Sequence, residues 1–189
     1  MPLLRRCVTF IDRINRFIGQ AVAWLMLVAI VVSAGNAVIR KVFDLSSNAW
    51  LDLQWMLFGA VFLLCAPWTL MRNEHVRIDV IYSILSPRKR RAINIVGHLF
   101  FLLPFTVVVL IVAWPFALTS FAQNEQSMNS GGLPVWPAKL LVPIGFGFLF
   151  LQGISELIKA VRAKGDVDSS DPDIAGAPSK RGTVEETAP

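Results

Sequence analysis

Only one tyrosine, two cysteines and two histidines occur among 189 residues, and charged residues make up just 16%. Each scarcity removes a class of protein. Cys7 and Cys65 cannot build a disulfide framework or a four-ligand zinc site. His75 and His98 leave one conceivable cofactor arrangement, a haem ligated from facing helices. No GxxxxGK[ST] phosphate loop is present, which argues against ATP hydrolysis, and GxGxxG and HExxH are absent too. Gly131-Gly132 falls in a polar stretch rather than at a strand-to-helix turn, and no Ser, His and acid constellation stands out. The chain does not read as an enzyme, and no cofactor is expected.

What the chain has in quantity is apolar surface. Hydrophobic residues reach 54%, with thirteen Phe and six Trp. A soluble domain of this size cannot bury that much apolar side chain. The same richness excludes disorder for most of the chain. Four long apolar runs stand out, at about 18–39, 49–71, 93–119 and 138–158. Each approaches or exceeds the roughly 20 residues an α-helix needs to cross a bilayer core of about 30 Å. None shows the apolar/polar alternation of a membrane strand. The expected fold is an all-α polytopic membrane protein with four transmembrane helices.

Orientation follows from lysine and arginine. Arg5, Arg6, Arg13 and Arg16 precede the first run; Arg72, Arg77, Arg88, Lys89, Arg90 and Arg91 lie between the second and third. Lys159, Arg162, Lys164, Lys180 and Arg181 follow the fourth, so fifteen of the eighteen basic residues fall on one side. Arg40, Lys41 and Lys139 are left for the other. This split predicts that both termini are cytoplasmic. It also attributes the net charge of +5 to lipid topology rather than to nucleic acid. The first run is longer than the apolar part of a signal peptide and is expected to stay uncleaved.

Two segments suit the membrane surface. Leu3, Cys7, Ile11, Ile14 and Ile18 recur at helical spacing beside the four N-terminal arginines. They read as an interfacial helix contacting headgroups, or as a basic leader that only sets orientation. In residues 76–85, Ile78, Ile81, Tyr82 and Leu85 predict a short amphipathic interfacial helix. Ser86 and Pro87 then suit the N-cap and first position of the next helix. The membrane domain is expected to cover 1–164. Residues 165–189, acidic and rich in Pro, Gly and Ser, are expected to be a disordered cytoplasmic tail.

Ionisable residues deep in a membrane usually mark an ion or substrate route. The centres of all four runs carry none. Asp52 opens the second and Glu156 lies near the end of the fourth. Such a chain could hardly couple an ion gradient to transport alone, and it reads as a scaffold or accessory subunit. The competing readings are a haem-bearing anchor of a respiratory enzyme and a free-standing small channel or exporter.

The stretch NAWLDLQWMLFGAVFLLCAPWTLMRNEHVRIDVI resembles the small permease subunit of TRAP (tripartite ATP-independent periplasmic) transporters. The resemblance rests on Trp50 and Asp52 opening the second helix, then Arg72, His75 and the pair Ile78-Asp79 after it. The later stretch NEQSMNSGGLPVWPAKLLVPIGF is similar to that family's periplasmic loop and fourth helix, with Pro134, Trp136, Pro143 and Gly145. The likeness covers about residues 10–160 and is greatest to the mannitol/chloroaromatic-type branch. Family members often have Glu where this chain has Asp52, a shorter acid that alters which partner it reaches.

The resemblance implies a bacterial inner-membrane protein working by secondary active transport. Its implied partners are a large multi-span permease subunit, which would hold the substrate and sodium sites, and a periplasmic substrate-binding protein. The small subunit would brace the large one, so no substrate-binding residues are carried over. Asp52 reads as a helix-start acid favoured by the dipole, or as a pair for Arg40, Lys41 or a partner's basic group. Arg72, His75 and Asp79 would fix the surface helix or contact headgroups. Trp50, Trp114 and Trp136 suit a periplasmic aromatic belt. Gly145 and Gly147 permit close helix packing, within the chain or against the partner. The 120–136 loop reads as a connector, with docking of the binding protein as the alternative.

Overall fold

The computed structural model describes residues 2–44, 47–72 and 86–169. The helix expected over 76–85, with His75 and Asp79, lies outside the described residues, as does the chain beyond 169. Among the described residues, five α-helices and one π-helical turn follow in order: α1 (Pro2–Phe43), α2 (Asn48–Arg72), α3 (Pro87–Val96), the π turn (Gly97–Leu102), α4 (Leu103–Ala122) and α5 (Trp136–Ser169). Four stretches are long and apolar enough to cross a membrane: Arg6–Phe43, Asn48–Arg72, Ala92–Ala122 and Trp136–Arg162. Among the described residues the one extended pairing is an isolated bridge between Gln126 and Pro134.

The interfacial segment and first span expected from the sequence are one helix. α1 has 42 residues, which at 1.5 Å per residue is about 63 Å, twice the hydrocarbon core. No proline interrupts it, and the apolar spacing before Ile18 is already helical, so the change in polarity there does not break the backbone. α1 stops where Asp44 takes a left-handed conformation (φ 52°). α4 stops in a similar way, two residues before the turn at Asn124 (φ 45°); Asn and Asp tolerate this region better than other side chains with a Cβ. α5 runs to Ser169, past the boundary at 164 that composition suggested.

α3, the π turn and α4 make one continuous helical rod. The π turn has a local cause. Pro104 has no N–H to offer the carbonyl of Phe100, and its ring crowds that turn. The backbone widens by one residue, and the Leu103 N–H bonds the His98 carbonyl, five residues back. Ser86 occupies the N-cap of α3 in an extended conformation, with Pro87 at the first turn, although its hydroxyl makes no capping bond.

α5 is the hub: it packs against α1, α2, α3, the π turn and α4. α2 is flanked by α1 and α5. In lipid, helices associate through close van der Waals contact, so small residues mark the crossings. On α4 the buried positions Thr106, Ala113, Ala117 and Ser120 form such a stripe, and α4 packs chiefly against α5. A Cβ on Gly19 would stand 2.5 Å from the Trp68 ring at the α1–α2 crossing. A Cβ on Gly145 would stand 3.0 Å from the Leu63 carbonyl oxygen, where α2 crosses α5. Outward faces are aliphatic and exposed, as at Val108, Ile111 and Val112 of α4.

Candidate functional site

Polar side chains gather at the two ends of the bundle and leave its middle apolar. At one end lies Asp52, on the second turn of α2. Its carboxylate is 1% exposed and is enclosed by the 123–135 segment. Oδ1 accepts from Trp55 Nε1 at 3.2 Å and Asn129 Nδ2 at 3.0 Å. Oδ2 accepts from the Leu133 backbone N–H at 3.1 Å, and the Ser127 side chain stands beside it next to Gly132. All these partners are neutral. The acid therefore reaches the loop of its own chain, and neither Arg40 nor Lys41 is among its partners.

The loop is a small hairpin. Ser127 N–H donates to Leu133 O at 3.0 Å and Val135 N–H to Glu125 O at 2.9 Å. Asn48 Nδ2 ties the Ser130 carbonyl to the start of α2 at 2.9 Å. Gly131 turns the tip with φ 71°, a conformation that favours glycine. Gly132 is required for a different reason: a Cβ there would collide with Asp52 Oδ2 and with Ser127. Glu125 pairs with Lys139 of α5, and that ammonium also lies 4.1 Å from the Phe116 ring centre. The Lys139 ammonium holds the Glu125 carboxyl below the usual carboxylate range. Trp136 packs edge-on to Phe121, with ring centres 5.0 Å apart. Trp50, on the first turn of α2, and Trp114, two turns before the end of α4, are exposed.

At the other end, α1 and α5 share a network that the sequence reading did not assemble. Asn15 Nδ2 donates to Gln152 Oε1 at 2.6 Å. Gln152 Nε2 donates to Asp12 Oδ1 at 3.0 Å and to Glu156 Oε1 at 2.9 Å. Ser155 Oγ donates to Asp12 Oδ1 at 3.0 Å. Lys159 Nζ lies 2.9 Å from Asp12 Oδ2 and 2.7 Å from Glu156 Oε1. Asn15, Gln152 and Ser155 are buried. A signal was present: Gln152, Ser155, Glu156 and Lys159 fall at i, i+3, i+4 and i+7 of an apolar run, one polar stripe on one helix face.

The remaining expected residues separate. Arg72 caps Trp68, its guanidinium carbon 5.1 Å from the ring centre. Pro143 is buried inside α5. Gly145 contacts α2, whereas Gly147 has nothing within 4 Å of where a Cβ would stand. Gly147 instead lines an open apolar groove with Pro143, Ile144, Phe148, Phe150 and Leu151. His98 Nδ1 lies 2.6 Å from the Asn94 carbonyl; a carbonyl only accepts, so Nδ1 carries the proton.

The geometry offers two helix-fastening networks, a fixed hairpin and a bare apolar middle. No curated protein and no solved structure matches the chain. The family described as "Tripartite ATP-independent periplasmic transporters, DctQ component" matches residues 28–163, a segment that holds the last three spanning helices whole and the end of the first. This chain therefore belongs to the DctQ-component family of tripartite ATP-independent periplasmic transporters and is a transporter subunit, not an enzyme.

Proposed function

We propose that this subunit braces the large permease of a secondary, ion-gradient-driven transporter of organic acids or related small solutes, and carries no solute itself. The chain is a multi-pass protein of the inner membrane. The observation that supports the bracing role is where its charges lie. Between Arg16 and Arg40 in α1, between Asp52 and Arg72 in α2, and between Lys139 and Glu156 in α5 there is no ionisable side chain other than the thiol of Cys65. Near the ends, Asp12, Glu125, Lys139, Glu156 and Lys159 pair within or between elements, and Asp52 holds the hairpin to α2. A solute or ion crossing such a bundle would meet nothing to replace its hydration shell.

The basic residues give the orientation we favour. Arg6, Arg13, Arg16, Arg72, Lys159 and Arg162 share one end of the bundle, with Arg40, Lys41 and Lys139 at the other. Positive-inside placement puts the first end in the cytoplasm and the Asp52 hairpin in the periplasm. There the hairpin is a fixed connector within reach of a periplasmic binding protein. The open groove beside Gly147 is the face of α5 best shaped to receive a helix of the large permease.

A mild-detergent pull-down of the tagged chain from native membranes, with mass spectrometry, tests this. The expected companion is a stoichiometric, strongly hydrophobic protein of many spans. Recovery of the chain alone, in a detergent that preserves other membrane complexes, overturns the reading.

A further inference from the structure

We propose that Arg6, Arg13 and Arg16 of α1 form a binding site for the phosphate of an anionic phospholipid headgroup. With Thr9 they sit at i, i+3, i+7 and i+10, one stripe along one side of the helix. The opposite side carries Asn15, Gly19 and Val22, buried against α2 and α5. Two adjoining grooves open along the stripe. Arg6, Thr9, Phe10 and Arg13 line one; Thr9, Asp12, Arg13 and Arg16 line the other. Arg13 belongs to both.

Charge complementarity identifies the occupant. The three guanidiniums are exposed and make no ion pair among the described residues. Asp12, the one acid on these grooves, has both oxygens turned to Lys159. Lys159, shared with Glu156, offsets part of its charge, and three arginines against that one acid leave the grooves net positive. Arginine's planar fork suits phosphate oxygens. The surroundings select a lipid over a dissolved anion. Phe10 and Phe17 are 65% and 71% exposed beside the stripe, one heptad apart on an amphipathic entry to a spanning helix. Aromatic rings at that level lie among acyl chains while arginines reach outward to the headgroups.

The test uses the purified full-length chain in detergent micelles, titrated with phosphatidylglycerol or phosphatidylcholine and read by native mass spectrometry. Phosphatidylglycerol is expected to be retained in preference to phosphatidylcholine. R6Q/R13Q/R16Q is expected to lose about tenfold or more of that preference. R13Q alone should show most of a single-site loss, which keeps the test valid if the triple variant folds poorly. R40Q/K41Q removes cations at the opposite end and should keep the preference. Equal loss in R40Q/K41Q, or an undiminished preference in R13Q and the triple variant, overturns the site. Displacement of phosphatidylglycerol by an equal concentration of inorganic phosphate would overturn the lipid assignment in favour of a free anion.

Discussion

Asp52 shows how a single carboxylate holds a loop in place. Three donors converge on two oxygens with almost no water access, so each donor loses its partner if the acid is removed. D52A should destabilise the fold by about 1–3 kcal/mol per donor left buried, less where the hairpin opens to water. D52N keeps the shape but turns an amide NH2 toward groups that are themselves donors, so it should not rescue. Thermal unfolding of the purified chain, with limited proteolysis of the 123–135 hairpin, checks both. Tolerance of D52N would show that the charge is not what the loop needs. The sequence marked Asp52 as important through its place at a helix start and the family resemblance. Its partners were not legible, because Asn129 and Leu133 lie about eighty residues away and nothing local ties them to α2.

Glu125 has a different dependence. Its folded-state pKa lies below the ordinary value because Lys139 favours the ionised form. The link therefore adds stability that is complete above the ordinary glutamate value, about 4.3. It is lost as pH falls through the lower, folded value. Hydrogen exchange at the Val135 and Ser127 amides should accelerate below about pH 4 more than at pH 6 once intrinsic rates are corrected. E125Q should remove the part of that acceleration due to this pair. An identical acid response in E125Q would assign the effect to another carboxylate.

At the scale of elements, the glycines divide by what they face. A leucine at Gly145 would be driven into the Leu63 backbone, forcing α2 and α5 apart at a cost of about 1–3 kcal/mol or more. The same change at Gly147 meets open space. G145L should lower the melting temperature of the isolated subunit. G147L should leave it unchanged and instead reduce recovery of the large permease in the pull-down. An unchanged pull-down with G147L would move the permease contact to another face. All four spanning helices were legible as apolar runs, since length and hydropathy decide insertion. The continuity of α1 was not, because polarity changes near Ile18 while no proline or glycine pair interrupts helical hydrogen bonding there. The Asp12–Lys159 network needed two facing stripes; of the α5 stripe, sequence singled out Glu156 as an acid near the helix end and Lys159 only as an orienting charge.

For the whole molecule, contacts through α5 should outweigh the covalent hairpin that leads to it. Cutting the chain between Ser130 and Gly131, at the exposed tip, leaves fragments 1–130 and 131–189. Coexpressed, they should copurify, because the second fragment meets α1, α2 and α4 on different sides. Separation of the fragments in mild detergent would show that the loop, rather than packing, holds the bundle together. The split-chain experiment also isolates the Asp52 cradle, whose Asn129 and Leu133 would then arrive from different fragments.

The central position of α5 has a consequence during synthesis. It is the last of the four spanning helices to leave the ribosome, yet it touches every other described element. α1 and α2 can pair as soon as both are inserted. α4 has to wait beside the insertion machinery, its small-residue stripe facing lipid, until α5 arrives to cover it. In that interval Asp12 lacks Lys159, and Asp52 lacks the strand of the hairpin that carries Leu133. A newborn subunit is thus a two-helix unit with one detached helix, the form in which quality-control proteases would meet it.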